Sequence, residues 1–241
     1  MQKKCIIIPC YNEEKRLQLD KFISFLKKNS NTHFLFVNDG SSDNTKAILT
    51  EVASTNDRVH FLDLSKNQGK GEAVRQGMLK AFEDTSFDII GFLDADLSTP
   101  LEEIPKLATH LKNDVLFVFG ARIKKIGAFI DRKVHRHILG RIFATAVSLT
   151  LHLNVYDTQC GIKLFKRKVV FKIFETPFLS KWIFDIEIFH RFSNICKPKT
   201  INHTAIEVPI SVWKDVNGSK LKLIDFLKVP FELLLFIKKK R

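Results

Sequence analysis

Asp94 and Asp96 stand one residue apart, directly behind the apolar run Ile89-Ile90-Gly91-Phe92-Leu93. The run is short, rich in branched and aromatic residues, and preceded by the polar Asp84-Thr85-Ser86, a pattern that predicts a buried strand. Carboxylates at the carboxyl end of such a strand lie where open α/β sheets bind ligands. Hard oxygen ligands at that spot suit Mg²⁺ or Mn²⁺ holding a diphosphate. An Asp turn capping the helix after Pro100 is the other reading, and the pair alone leaves both open.

Two more polar clusters follow predicted strands. Pro9-Cys10-Tyr11-Asn12-Glu13-Glu14 follows Cys5–Ile8, and Asn38-Asp39-Gly40-Ser41-Ser42-Asp43 follows Phe34–Val37. Each cluster taken singly is turn and helix-cap chemistry. Together they carry acids and amides from three strand ends toward one edge. There Asp39 would grip a base or ribose, while Asp94 and Asp96 hold a metal on phosphates. Lys70, between Gly69 and Gly71 at a helix start, is either a phosphate contact or a solvated first-turn lysine. It does not complete a G-x-G-x-x-G fingerprint, because position 74 is Val.

The elements that must position these groups alternate along the first half. Strands are predicted over Cys5–Ile8, Phe34–Val37, Val59–Leu62, Ile89–Leu93 and Val115–Phe119, with helices over Glu14–Lys28, Asp43–Ala53, Lys70–Glu83 and Leu101–Lys112. That order means βαβ units and an α/β fold with a mostly parallel sheet flanked by helices. After Gly120 the character changes: Arg122 to Arg141 holds seven Lys/Arg against one acid, Asp131. A helical pattern then runs to about Leu153, with Leu139, Ile142, Phe143, Ala146, Leu149 and Leu153 on one side. The stretch Leu221 to Ile237, interrupted at Pro230, ends in Lys238-Lys239-Lys240-Arg241. Apolar helices beside basic clusters fit an anionic bilayer interface, which predicts peripheral, monotopic membrane association.

Composition narrows the classes. At 241 residues the chain buries one good core, and its 22 Phe are unusually many. A net charge of +13 calls for an anionic partner: nucleic acid, membrane surface or phosphorylated ligand. Cys5, Cys10, Cys160 and Cys196 lack C-x-x-C spacing, and the eight His lack H-x-x-x-H spacing, so neither a disulfide framework nor a zinc site is expected. No signal peptide is visible, and the longest stretch without formal charge, Ile142 to Tyr156, is too short to span a bilayer.

With these residues assembled, the chain resembles the family-2 glycosyltransferases of GT-A fold. Within that family it looks like the enzymes that load a sugar onto a polyprenyl phosphate. The opening motif is Pro9-x-Tyr11-Asn12-Glu13, and the second is Val37-Asn38-Asp39-Gly40-Ser41-x-Asp43-x-Thr45. Asn67-Gln68-Gly69-Lys70-Gly71-x-Ala73-Val74-Arg75, Asp94-Ala95-Asp96 and Gly120-Ala121-Arg122 follow in order. The string Asp157-Thr158-Gln159-Cys160-Gly161-Ile162-Lys163-Leu164-Phe165 looks like the dolichyl-phosphate β-glucosyltransferase version. Trp182-x-Phe184-Asp185-x-Glu187 and Glu207-Val208-Pro209…Trp213…Gly218-Ser219-Lys220 continue the match.

The resemblance implies a GT-A catalytic domain over 1–218, with 122–156 as its acceptor-side, interfacial segment, and C-terminal amphipathic membrane-associating helices over 219–241. It implies inverting transfer of a hexose, glucose from UDP-glucose first, onto dolichyl or undecaprenyl phosphate at the cytoplasmic side of a membrane. Pro9, Tyr11, Asn12, Glu13, Asp39, Lys70 and Asp94 would bind the nucleotide sugar, and Asp96 would hold Mg²⁺ or Mn²⁺. Arg122, Arg132, Arg136, Gln159 and Lys220 would handle phosphate or acceptor, and Asp94, Asp96 and Asp157 would be catalytic. Ser98 stands where mannosyl relatives often carry Gln, which leaves the third protein ligand of the metal open. Asp157 is expected to position groups rather than remove a proton, because a lipid phosphate is already largely ionised at neutral pH. The alternatives are a GDP-mannose-dependent polyprenyl-phosphate mannosyltransferase or a soluble family-2 transferase acting on a polysaccharide. From a different class comes a basic nucleic-acid-binding protein; nucleic acid is not the expected partner, since the basic residues cluster beside apolar helices rather than interleaving with aromatics.

Overall fold

The computed structural model describes residues 2–131, 134–180, 183–196 and 200–216, with backbone alone for 134–139. The expected C-terminal helices over 219–241, with Lys220, and Arg132 and Trp182 lie outside the described residues.

A seven-stranded sheet runs in the order β3-β2-β1-β4-β7-β5-β8. Its strands are β1 (Lys4–Cys10), β2 (Thr32–Asp39), β3 (Val59–Leu64), β4 (Ile89–Leu93), β5 (Phe117–Ala121), β7 (Ile162–Lys166) and β8 (Ala205–Pro209). β1 pairs in parallel with both β2 and β4, while β7 is antiparallel to its two neighbours, β4 and β5. A second, two-stranded sheet joins β6 (Phe129–Asp131) to β9 (Val212–Lys214). The helices are α1 (Leu19–Lys28), α2 (Thr45–Thr55), α3 (Lys70–Glu83), α4 (Glu103–Ala108), α5 (Val134–Leu151), α6 (Arg167–Phe174), α7 (Phe184–Ile195) and α8 (Ile201–Thr204).

Strand alternation divides the core between the two faces of the large sheet. Ile7, Leu35, Val37, Phe92 and Phe117 pack with α3, α6 and α7 on one side, and Ile6, Ile8, Phe34 and Phe36 pack with α1 and α4 on the other. Each fully buried side chain of this size contributes roughly 1.5–3 kcal/mol. The many Phe find their use here. Phe117 stacks on Phe165 with ring centroids 4.5 Å apart, and Phe22 meets Phe34 and Phe36 edge-on, at 5.1 Å each.

Several predicted elements differ in extent from the observed ones: β1, β2 and β3 run longer, and α2 starts and ends two residues later. The helix expected over Glu14–Lys28 begins only at Leu19, because the backbone N–H groups of Asn12, Glu13 and Glu14 donate to Ser41, Thr45 and Asp43 on the next loop. The helix expected over Leu101–Lys112 contracts to Glu103–Ala108. Beyond Ala108 its bonds tighten to i→i+3 spacing (His110 N–H to Leu107, Leu111 N–H to Ala108), which draws Leu111 into the core. β5 starts two residues later than predicted, so Arg122 follows it directly. All four cysteines are buried. Among the described residues no helix is long and apolar enough to cross a membrane.

Candidate active site

Parallel pairing sets the ends of β1, β2 and β4 side by side, with Cys10 opposite Asn38 and Ile7 opposite Phe92. The antiparallel course of β7 places Ile162 opposite Leu93, so the loop Asp157–Gly161 enters at that same edge. β5 runs antiparallel to β7 and delivers Arg122 there as well. One sheet edge therefore collects residues that are far apart in sequence.

Asp94 and Asp96 sit just past β4. Asp96 Oδ1 accepts the Ser98 backbone N–H at 2.9 Å, so the turn chemistry that the sequence left open does form. Asp94 is 27% exposed, and the Lys70 ammonium lies 2.5 Å from its Oδ1. Burial pulls the Lys70 pKa down, but Asp94, Asp185 and Asp96 outweigh it and raise the pKa overall. Burial, and then the charge of Asp94, raise the pKa of Asp96. A carboxyl that binds its proton more tightly because a second carboxylate is near marks a spot short of positive charge, and a divalent cation would supply it. The donor set therefore fits such a cation. Among the described residues no group of three or more His, Cys, Asp or Glu is arranged to hold a metal, so phosphate oxygens or water would complete the shell. Gly161 has no side chain because a Cβ there would strike the Asp94 carboxylate.

Arg122 and Asp157 form the second half of the site. Arg122 Nε and Nη2 donate to Asp157 Oδ2 and Oδ1 at 2.7 and 2.8 Å, and the Arg122 backbone N–H adds a third bond at 3.1 Å. Both side chains are largely buried, and Asp157 outweighs burial to hold Arg122 firmly protonated. The Gln159 backbone N–H also donates to Asp157 Oδ1, at 3.1 Å. Beside it, Gln159 Nε2 and Thr158 Oγ1 are buried without hydrogen-bond partners. Orphaned polar atoms of this kind are uncommon and call for an explanation such as a ligand. Burial pushes the neighbouring Cys160 thiol up to about 11, so it is no nucleophile at neutral pH.

The nucleotide-side residues lie on the other strand ends. Asp39 is buried, and its two carboxylate oxygens accept N–H bonds from Gln68 and Gly69 at 2.7 and 2.9 Å. It thereby shapes the glycine-rich loop that presents Lys70. Glu13 is held by Arg16 through both oxygens, at 3.0 and 2.6 Å. Asn12 accepts the Ser42 N–H at 2.8 Å, Pro9 is half-buried, and Tyr11 is exposed. Of the expected acceptor residues, Arg122 and Gln159 meet at the site, and Arg136 lies on α5, where only the backbone is described.

Two residues quoted within the motif strings were given no role there. Glu207 on β8 accepts the backbone N–H groups of Tyr156 and Asp157, the latter at 2.7 Å, which fixes the direction in which Asp157 points. Lys163, fully buried on β7, donates to Asp185 at 2.6 Å and to the Cys160 carbonyl at 2.8 Å. A charged residue inside an otherwise apolar strand pattern was the available signal for each.

Comparison with known proteins identifies the family and the fold. The family model described as glycosyl transferase family 2 matches residues 5–174. A dolichyl-phosphate β-glucosyltransferase of Saccharomyces cerevisiae is 34% identical over 253 residues, covering 95% of this chain and 72% of that protein. One from Trichomonas vaginalis is 30% identical, covering 95% and 68%. Among solved structures, mannosyl-3-phosphoglycerate synthase from Rubrobacter xylanophilus superposes with a TM-score of 0.73 at 14% identity, covering 99% of this chain and 74% of that one. Glucosyl-3-phosphoglycerate synthase from Mycobacterium tuberculosis, in complex with Mn²⁺ and UDP-glucose, gives 0.69 at 19% identity, covering 97% and 77%. These two likenesses establish the fold.

Proposed function

The chain belongs to glycosyl transferase family 2, and from that premise we propose that it moves glucose from UDP-glucose onto a polyprenyl phosphate, with inversion. The single observation that carries this reading is the meeting, at one sheet edge, of the Asp94–Asp96 pair with Arg122, Asp157 and the unpartnered Gln159 amide. The names of the curated relatives favour the glucosyl donor and the lipid phosphate acceptor. The Mn²⁺ complexes among the structural neighbours favour a divalent cation here.

The acceptor phosphate oxygen attacks the anomeric carbon from the face opposite the leaving group. As the new C–O bond forms, the bond to the diphosphate breaks and its electron pair leaves with UDP. A monoester's second pKa is about 6, so the nucleophile needs no general base. Asp157, with both oxygens engaged, fits that requirement: it orients Arg122, and Arg122 offers its remaining N–H groups to the acceptor phosphate. Asp96 and Asp94 would hold the cation, which when bound supplies positive charge to the departing diphosphate. Lys70, already beside Asp94, lends a second positive charge at that place.

A donor panel tests the assignment. Radiolabelled UDP-glucose and GDP-mannose are each supplied with polyprenyl phosphate and Mn²⁺ or Mg²⁺, and the lipid is extracted into organic solvent. Label from UDP-glucose is expected in the organic phase. Label from GDP-mannose alone would replace the donor, and label from neither would reject the function.

A further inference from the structure

We infer that the turn Lys125-Ile126-Gly127-Ala128 is a membrane-inserting tip that seats the site on an anionic lipid surface, within reach of Arg122. The inference rests on the lipid-phosphate reading above and names the surface that serves it.

The turn is built rather than loose. The Ala128 N–H donates to the Lys125 carbonyl at 3.1 Å, and Gly127 has φ +85°, which a side chain would resist at the third position of such a turn. The turn is tied to the fold through the Phe129 N–H, which donates to the Ser211 carbonyl at 2.9 Å, and through the β6–β9 pairing. At its corner stands Ile126, 104% exposed, a branched apolar residue where polar residues or Pro are usual. Phe129 is 57% exposed just beyond it, whereas Ile130 is turned into the core. A firm turn thus holds two large apolar side chains toward water among the described residues.

Charge selects the partner. Lys125 is exposed at the turn, and the ammonium of exposed Lys214 lies 5.6 Å from the Phe129 ring centroid. The acids nearby are Asp131, exposed at the far end of β6, and Asp215, whose backbone N–H donates to the Asp131 carbonyl at 3.3 Å. Apolar side chains rimmed by lysines match an anionic bilayer, where the lysines meet headgroups and the apolar groups enter the acyl boundary. α5 repeats the pattern. Ala144, Val147 and Leu151 face inward, while Ile142 (63% exposed) and Leu149 (71% exposed) stand two turns apart on the same outward face.

Reach supports the same occupant. Ile126 lies four positions after Arg122, so the two are no more than about 14 Å apart along the chain. Interfacial segments bury their apolar side chains about 5–10 Å deep. A tip inserted that far holds Arg122 near headgroup level, where a lipid-borne phosphate is found.

The test uses the full chain and vesicles of phosphatidylcholine with and without phosphatidylserine. Sedimentation is compared for the parent and for Ile126→Ser with Phe129→Ser. Because both side chains are exposed, the melting temperature should not fall. The parent should bind the anionic vesicles and the variant at least about tenfold more weakly, as loss of two inserted apolar groups implies. Transfer to a long-chain acceptor in vesicles should drop in parallel, while transfer to a water-soluble, short-chain isoprenyl phosphate stays at the parent level. Equal vesicle binding by parent and variant would overturn the tip, as would a variant that instead loses only self-association on a sizing column. Failure of the parent to glucosylate either acceptor would reject the lipid-phosphate reading, and vesicle sedimentation would still judge the tip by itself.

Discussion

Arg122 and Asp157, 35 residues apart in sequence, meet through a two-pronged ion pair, with N–O distances of 2.7 and 2.8 Å. The pair explains how an acid in a transferase site can matter without accepting a proton. Asp157→Asn keeps the size but loses the charge that orients the guanidinium. We expect kcat to fall on the order of 100-fold, as misplacement of a substrate-holding group by about 1 Å typically costs. Arg122→Lys should do the same, because an ammonium cannot bridge both oxygens. Steady-state kinetics at saturating acceptor check this; near-normal turnover in Asp157→Asn would exclude the positioning role.

Asp96 predicts a trade between stability and activity. Its folded-state pKa is raised by burial and by Asp94, so the folded protein holds that proton more tightly than the unfolded chain. The group's contribution is therefore fully present below the unfolded pKa and is lost as pH rises through the folded one. At neutral pH the ionised Asp96 weakens the fold, and Asp96→Asn should melt about 1–3 °C higher. Addition of Mg²⁺ or Mn²⁺ should raise the melting point of the parent but not of the variant, and the variant should lose transfer activity. At subsaturating cation, activity of the parent should fall on the acid side, because the proton and the cation compete for Asp96. Calorimetry with and without the cation reads the first two effects.

Gln159 offers a test with an unusual sign. Its Nε2 is buried without a partner, so removing it relieves the fold of an unsatisfied donor. Gln159→Leu should leave the melting point unchanged or higher, yet raise the acceptor KM about tenfold, equivalent to ~1.4 kcal/mol. A fall in stability with an unchanged acceptor KM would show the amide to be structural.

Lys163 and Asp185 should behave as a unit. Lys163 has no exposed surface, and its ammonium is 2.6 Å from the Asp185 carboxylate. Lys163→Met alone leaves a buried carboxylate uncompensated and should destabilise by ~3–5 kcal/mol. Lys163→Met combined with Asp185→Asn should recover much of that loss. A double-mutant cycle in denaturant measures the coupling, and simple additivity would argue against the pair.

How far the sequence could be read follows from the physics of each element. Ile89–Leu93 and Lys70–Glu83 were legible to the residue, because a short apolar run and a glycine-bounded helical pattern have few competing states. The start of α1 was not, since the donors of Asn12, Glu13 and Glu14 are taken by a loop some 30 residues away, which no local propensity records. β7 was recognised as a motif but not as a strand, because Lys163 interrupts its apolar run; only the folded chain reveals Asp185 beneath it. Glu207 stood out as a charge in an apolar pattern, but its partners are backbone N–H groups, so its role could not be read from side-chain types. Asp94, Asp96, Arg122 and Asp157 were all visible as candidates, whereas the pairing of Lys70 with Asp94 required the fold.

The central claim is that a lipid-borne phosphate, rather than a hydroxyl, attacks the sugar. The most direct measurement offers UDP-[¹⁴C]glucose to two lipids of the same chain length, polyprenyl phosphate and the unphosphorylated polyprenol, and counts label in the extracted lipid. Label should enter the phosphate lipid alone, with no transfer to the alcohol. Equal labelling of the alcohol, or labelling of neither lipid, would contradict the account.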